Sequence, residues 1–170
     1  MAANLFTFIE LYRRIVHTGG HVLAKGAAFA ESQGVSSDAM LDWRLIDDMQ
    51  PLRFQISVLC NFTRQYAARV AGIAVPADVD VNMDLAGFQA ALAATDDWLA
   101  ALTPEQFAGR DDVPLTVTIG NGMEPTLPSG RWLTVFATTN LYFHLTTAYD
   151  ILRSRGAPLG KIDMFMPDGL

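Results

Sequence analysis

The sequence has 170 residues, of which 51% are hydrophobic and 18% charged, and this balance predicts one folded domain over residues 1–170. The net charge of −6 argues against a nucleic-acid partner, because such a partner requires clustered Lys and Arg. We expect no membrane span and no signal peptide, since no apolar run approaches about 20 residues. The single cysteine, Cys60, fits a cytoplasmic location and is interpreted as a small apolar core residue.

The first predicted helix runs from about Asn4 to Ser32. Its apolar residues recur at steps of three and four, which places them on one side of a helix. They include Leu5, Ile9, Tyr12, Val16 and Leu23. Gly34 follows at the position where glycine commonly ends a helix.

A short helix and the second long helix come next. Ser36 is a candidate cap for a short helix through Leu45, and Asp47 or Asp48 is expected to cap the long helix that follows. Pro51 is tolerated in the first turn of that helix, where its missing N–H costs nothing. The apolar stripe of the second helix contains Leu52, Ile56, Leu59, Tyr66 and Val70, and Gly72 with Pro76 ends it.

The third helix is predicted to start at Asp84 and to include Leu102, and a short turn opens at Thr103. Residues 113–119 alternate and are rich in β-formers, and a Gly-Asn-Gly turn follows at 120–122. This pattern predicts a small hairpin or an extended loop between the third and fourth helices.

The fourth helix is predicted from about Trp132 to Ser154, ending at Gly156, with an extended tail over residues 159–170. Four amphipathic helices with one long connection indicate an all-α four-helix bundle with a crossover between helices three and four.

One segment of the fourth helix resembles a known family. Residues 140–153 read NLYFHLTTAYDILR and are followed by GAPLGK at 156–161. With the weaker DMQPL at 48–52 and AARVAG at 67–72, this segment resembles a branch of the DinB/YfiT-like superfamily known mainly as a domain of unknown function. The resemblance covers nearly the whole chain and implies a four-helix bundle, often a homodimer, with no particular reaction.

The resemblance also implies which residues would be needed to bind a metal ion. Many members of the wider superfamily hold a divalent metal with one histidine on helix two and two histidines four residues apart on helix four. Only His144 matches this pattern here, since Asn140 takes the other helix-four position and Asn61 and Phe62 lie near the helix-two position. We therefore predict no metal and no cofactor.

His144 is the leading candidate for chemistry. The helical wheel places it on the inward face with Leu141 and Ala148, where a partly buried imidazole can give or take a proton. Asn140 lies one turn earlier, and Asp48 is interpreted as an orienting carboxylate, with a helix cap as the alternative. The competing interpretation of His144 is an inert core histidine.

Several aromatic residues are candidates for lining a substrate pocket. They are Tyr66, Tyr12, Phe62 and Trp43, although aromatic residues at helical spacing usually belong to the core. We expect at least three of Asp48, Tyr66, Asn140 and His144 to share one cavity. His17 and His21 also have metal-pair spacing, but their wheel positions predict a solvated face or a dimer contact.

These residues favour a metal-independent enzyme that uses His144 for proton transfer, as in an isomerisation, cyclisation or elimination. The alternatives are a divalent-metal transferase of the superfamily type and a non-catalytic dimeric protein that binds a small molecule. The fourth helix is apolar nearly all round, which predicts a homodimer formed by that helix and the tail at 159–166.

Overall fold

The computed structural model describes residues 4–165. Four long helices form the bundle: α1 (Phe6–Ser32), α3 (Leu52–Ala71), α4 (Leu85–Ala100) and α6 (Thr138–Ser154). Three short helices accompany them, namely α2 (Ser37–Leu41), α5 (Ser129–Arg131) and α7 (Lys161–Phe165). The all-α prediction is confirmed, and α3 packs against both α6 and α4, while α1 packs against α4, α6 and α3.

The apolar stripes predicted from the sequence form the core between these helices. The largest fully buried side chains include Trp132, Tyr12, Phe88, Ile9 and Leu59. The helices approach closely at Gly19 of α1, where a Cβ atom would lie 2.7 Å from Leu59 Cδ1. Any larger residue at position 19 would therefore force the Leu59 side chain to move.

The crossover between α4 and α6 contains a small hairpin, as expected. A 3-10 turn at Pro104–Phe107 precedes strand β1 (Pro114–Thr116), which pairs antiparallel with β2 (Thr126–Pro128). The Gly-Asn-Gly sequence forms a turn at Gly120–Gly122, and Asn121 and Gly122 adopt positive φ angles of 63° and 71°. These are the angles that Asn and Gly tolerate best.

The first part of the predicted fourth helix is wound more loosely than an α-helix. Residues Trp132–Ala137 form a π-helical segment between α5 and α6. The carbonyl of Leu133 accepts hydrogen bonds from the hydroxyls of Tyr12, at 2.6 Å, and Thr138, at 2.9 Å. These two side chains stabilise the π turn, which hydrophobic periodicity does not predict.

Three local predictions were wrong. Neither Asp47 nor Asp48 caps α3, because the N-cap position is Pro51 and both carboxylates belong to an exposed turn. The short helix α2 ends at Leu41 and does not reach Leu45. The tail was predicted to be extended, but Lys161–Phe165 is helical; residues 166–170 of that prediction lie outside the described part of the chain.

Candidate functional site

His144 lies at the contact between α6 and α3 and is half-buried. Its Nδ1 atom is 2.7 Å from Oε1 of Gln55, whose side chain is buried on α3. The amide nitrogen of Gln55 donates a second hydrogen bond, of 3.0 Å, to the carbonyl of Gln50. The amide orientation is thereby fixed, and its oxygen faces the histidine.

This hydrogen bond determines the tautomer of His144. A carboxamide oxygen only accepts hydrogen bonds, so Nδ1 must carry the proton and donate it to Gln55. In the neutral ring the lone pair is then on Nε2. Burial lowers the pKa of His144 from 6.5 to about 4, so the ring is neutral at pH 7. His144 is therefore an acceptor at Nε2 under ordinary conditions.

Aromatic rings surround the imidazole. The ring centroids of Phe143, Phe54 and Phe62 lie 5.3, 5.9 and 6.3 Å from that of His144, each edge to face. Of the predicted pocket aromatics, Phe62 thus lies beside His144, and Phe62 in turn contacts Tyr66 at 5.4 Å. The local environment is apolar, which is the physical reason that the charged form of the ring is disfavoured.

The aromatic row continues from Tyr66 into the π segment. Tyr66 lies 5.5 Å from Phe136 and 5.9 Å from Trp132, and Arg69 stacks over the Tyr66 ring at 5.7 Å. Burial raises the pKa of the Tyr66 hydroxyl, so it stays protonated and neutral. The row connects the loosely wound start of the fourth helix to His144.

The other predicted site residues occupy different places. Asn140 donates its amide N–H to the carbonyl of Phe136 at 2.8 Å, within its own helix. Tyr12 is fully buried and supports the π turn, while Trp43 lies beyond α2 with Arg155 over its ring at 5.7 Å. Asp48 is exposed in the turn at 45–49, and Gln55, not Asp48, is the hydrogen-bond partner of His144.

None of the four expected pocket residues lines the cavities that lie between α1 and α4, beside α2, and between α6 and the 45–49 turn. The last of these has a volume of about 520 Å³ and reaches the site through Phe143, which forms part of its wall and contacts His144.

The residues present do not fit the three-histidine metal site of the wider superfamily. Asn140 directs its amide at a backbone carbonyl, and the Asn61 oxygen accepts hydrogen bonds from the Val79 N–H, at 2.9 Å, and from Arg64, at 3.1 Å. Within residues 4–165, no group of three or more His, Cys, Asp or Glu side chains is arranged to hold a metal ion. His144 stands as a single imidazole donor.

Sequence reasoning missed Gln55. The residue lies three positions after Leu52 and four before Leu59, so it falls within the inward stripe of α3. A polar side chain on a buried stripe requires a hydrogen-bond partner, and His144 is the inward polar residue on the neighbouring helix. The buried stripe of α3 therefore indicates Gln55 as the hydrogen-bond partner of His144, although the carboxylate of Asp48 was predicted.

The fold is that of a DinB-like four-helix bundle. It matches the crystal structure of a DinB family member protein from Shewanella denitrificans with a TM-score of 0.83 and 26% identity, over 94% of this chain and 90% of that one. The model of the domain of unknown function DUF1993 matches residues 6–165, and the chain belongs to that family. No curated protein matches the sequence. No helix within residues 4–165 is both long and apolar enough to cross a bilayer.

Proposed function

We propose that this protein binds a small organic molecule that carries a hydrogen-bond donor, with Nε2 of His144 as the acceptor. The hydrogen bond from His144 Nδ1 to Gln55 supports the proposal best, because it fixes which nitrogen is available. An apolar surround with a few oriented polar groups is typical of small-molecule sites. Phe143 and the adjoining cavity of about 520 Å³ would take the apolar part of the ligand.

Proton abstraction by the same atom is the enzymatic form of this proposal. A neutral imidazole can accept a proton from a bound substrate, as isomerisation, cyclisation and elimination require. The pKa of about 4 favours the base form over the acid form, so His144 would act as proton acceptor in the first step. A non-catalytic binding protein would use the same geometry. Its ligand would donate a hydrogen bond to Nε2, whereas a substrate would transfer the proton to Nε2.

Two substitutions of His144 separate these functions. In His144→Asn the amide retains a donor for Gln55 but no acceptor reaches the position of Nε2. In His144→Gln the longer side chain can place an oxygen near that position, and this oxygen accepts a hydrogen bond but not a proton. Tyr149→Phe, which lies on the same helix but outside the wall of the adjoining cavity, is the control.

The test is a screen of small phenols, imides and amides by protein-observed NMR, followed by titration. We expect binding to weaken about tenfold in His144→Asn, to be retained in His144→Gln, and to be unchanged in Tyr149→Phe. A hit that binds wild type and His144→Asn equally would refute the role of Nε2. Where a hit is also turned over, loss of turnover with retained binding in His144→Gln would identify proton transfer.

A further inference from the structure

A second cavity lies between α1 and α4, away from the α3–α6 contact that holds His144. It has a volume of about 430 Å³, which is within the usual range for small-molecule sites. Its apolar wall is formed by Val16, Gly20 and Leu92, and its polar wall by His17, His21, Gln89, Asp96 and Asp97. The sequence pattern predicted a solvated helix face here, but His21 is only partly exposed, because its ring bonds to Asp163 of α7.

Close packing against a neighbouring helix explains the glycine at position 19 but not the glycine at position 20. A Cβ atom at position 20 would meet only Leu92 Cδ1, at 4.0 Å, whereas one at position 19 would be forced against Leu59. Glycine inside a helix costs about 1 kcal/mol relative to alanine. Since no neighbouring side chain requires this glycine, its effect is to keep the cavity wall open.

His21 is held in one orientation by a buried carboxylate. Asp163 of α7 accepts hydrogen bonds from His21 Nε2 at 2.7 Å, from Lys25 at 2.8 Å and from the Gly160 N–H at 2.7 Å. Burial alone would raise the pKa of Asp163, but these three donors outweigh it and hold that pKa well below its usual range. Asp163 is therefore ionised, so Nε2 of His21 carries a proton and donates it to this carboxylate.

The acidic side of the cavity is only partly neutralised. Arg13 forms a two-pronged ion pair with Asp96, with N–O distances of 2.8 and 3.0 Å, and acts on Asp97 only at longer range. Asp97 thus contributes a carboxylate to the cavity while the positive charge of Lys25 is directed at Asp163. The cavity therefore offers a ligand the Asp97 carboxylate and the amide oxygen of Gln89 as acceptors, beside the imidazoles of His17 and His21.

We propose that this cavity binds a small organic cation, a primary alkylammonium ion with a short apolar chain. An ammonium group has three N–H donors, which match the carboxylate of Asp97 and the amide oxygen of Gln89. The methylene chain packs on the wall formed by Val16, Gly20 and Leu92. This site shares no residue with the His144 site, so the two proposals stand independently.

The probes are butylammonium, 1-butanol and butyrate, which share a four-carbon chain and differ in charge. Binding is followed by amide chemical shifts of α1 and α4 in ¹H–¹⁵N spectra, and dissociation constants are obtained by titration. We expect butylammonium to bind at least about tenfold more tightly than 1-butanol, and butyrate not to bind. Equal binding of the alcohol, preferred binding of butyrate, or absence of shifts at these helices would each overturn the proposal.

Two variants test the site itself. Gly20→Leu fills the cavity without changing any charge, and Asp97→Asn removes the charge without changing the packing. Asp112→Asn, at an exposed position outside the cavity, is the control for general attraction to an acidic protein. We expect about tenfold weaker butylammonium binding in both cavity variants and wild-type binding in Asp112→Asn. Equal weakening in the control, or wild-type binding in correctly folded Gly20→Leu and in Asp97→Asn, would contradict the site.

Discussion

His144 illustrates how one side chain couples the site to stability. Its pKa is about 4 in the native state and about 6.5 in the unfolded chain, so between these values the unfolded chain binds the proton and the native state does not. Stability must then fall as pH decreases from about 7 to about 4, and this contribution does not change further below about 4. The full shift corresponds to about 3 kcal/mol, and we expect about 1–2 kcal/mol because the half-buried ring is partly solvated.

The measurement is urea unfolding of wild type and His144→Gln between pH 8 and pH 4. The difference between the two proteins at pH 8, where His144 is neutral in both states, provides the baseline. We expect wild type to lose about 1–2 kcal/mol more than the variant over this range. Parallel pH profiles would contradict this prediction, because they would show that the pKa of His144 is the same in the native and unfolded states. Nitrogen-detected NMR of the ring adds a direct check, since Nδ1 should be the protonated nitrogen at pH 7.

Prediction at the level of single residues succeeded where periodicity decides orientation. The inward positions of His144, Tyr66 and Tyr12 follow from their helical wheels, and the hydroxyl of the buried Tyr12 has a hydrogen-bond partner. The identity of that partner, the Leu133 carbonyl in a π turn, depends on winding that propensity does not encode. Asp48 was predicted as the partner of His144 because carboxylates commonly orient histidine side chains. The buried stripe of α3 indicates Gln55.

At the level of elements, the attachment of α7 to α1 is the feature the sequence pattern missed. One turn of helix has little stability of its own, so its formation depends on tertiary contacts. Gly160 and Asp163 are spaced like a helix cap and its third residue, and the Asp163 carboxylate does bond the Gly160 N–H. That spacing was a readable signal, whereas the approach of α7 to His21 and Lys25 across more than 130 residues was not.

Asp163→Asn should detach α7 selectively. The substitution removes the charge that His21 and Lys25 share, and we expect a loss of about 1–2 kcal/mol because Asp163 is buried while Lys25 is partly solvated. Hydrogen exchange should accelerate at 160–165 and at the contacting turn of α1, and remain slow in α3 and α6. Asp112→Asn should leave all four regions unchanged. Uniform acceleration across the bundle, or protected amides in α7, would show that other contacts hold this helix.

At the scale of the whole molecule, one face of the bundle is apolar and exposed. It combines the outer side of the fourth helix with the 45–49 turn, and its exposed side chains are Leu45, Ile46, Val135, Tyr142 and Phe143. Monomeric proteins rarely leave a contiguous apolar patch of this kind uncovered. We propose that a second copy of the chain covers this face in a symmetric dimer, which the resemblance to the DinB/YfiT-like superfamily also favours.

The dimer is tested by light scattering on the purified chain. Wild type should have twice the 18.6 kDa mass of one chain at micromolar concentration. Ile46→Glu and Val135→Glu each place a charge in the proposed interface and should yield monomers, whereas Met123→Glu, at a similarly exposed position in the hairpin turn, should remain dimeric. Ile162→Glu tests whether the tail takes part as the sequence pattern predicted. A monomeric wild type would contradict the dimer. Since Phe143 belongs to this face and also contacts His144, a confirmed dimer would enclose the proposed ligand site between two copies.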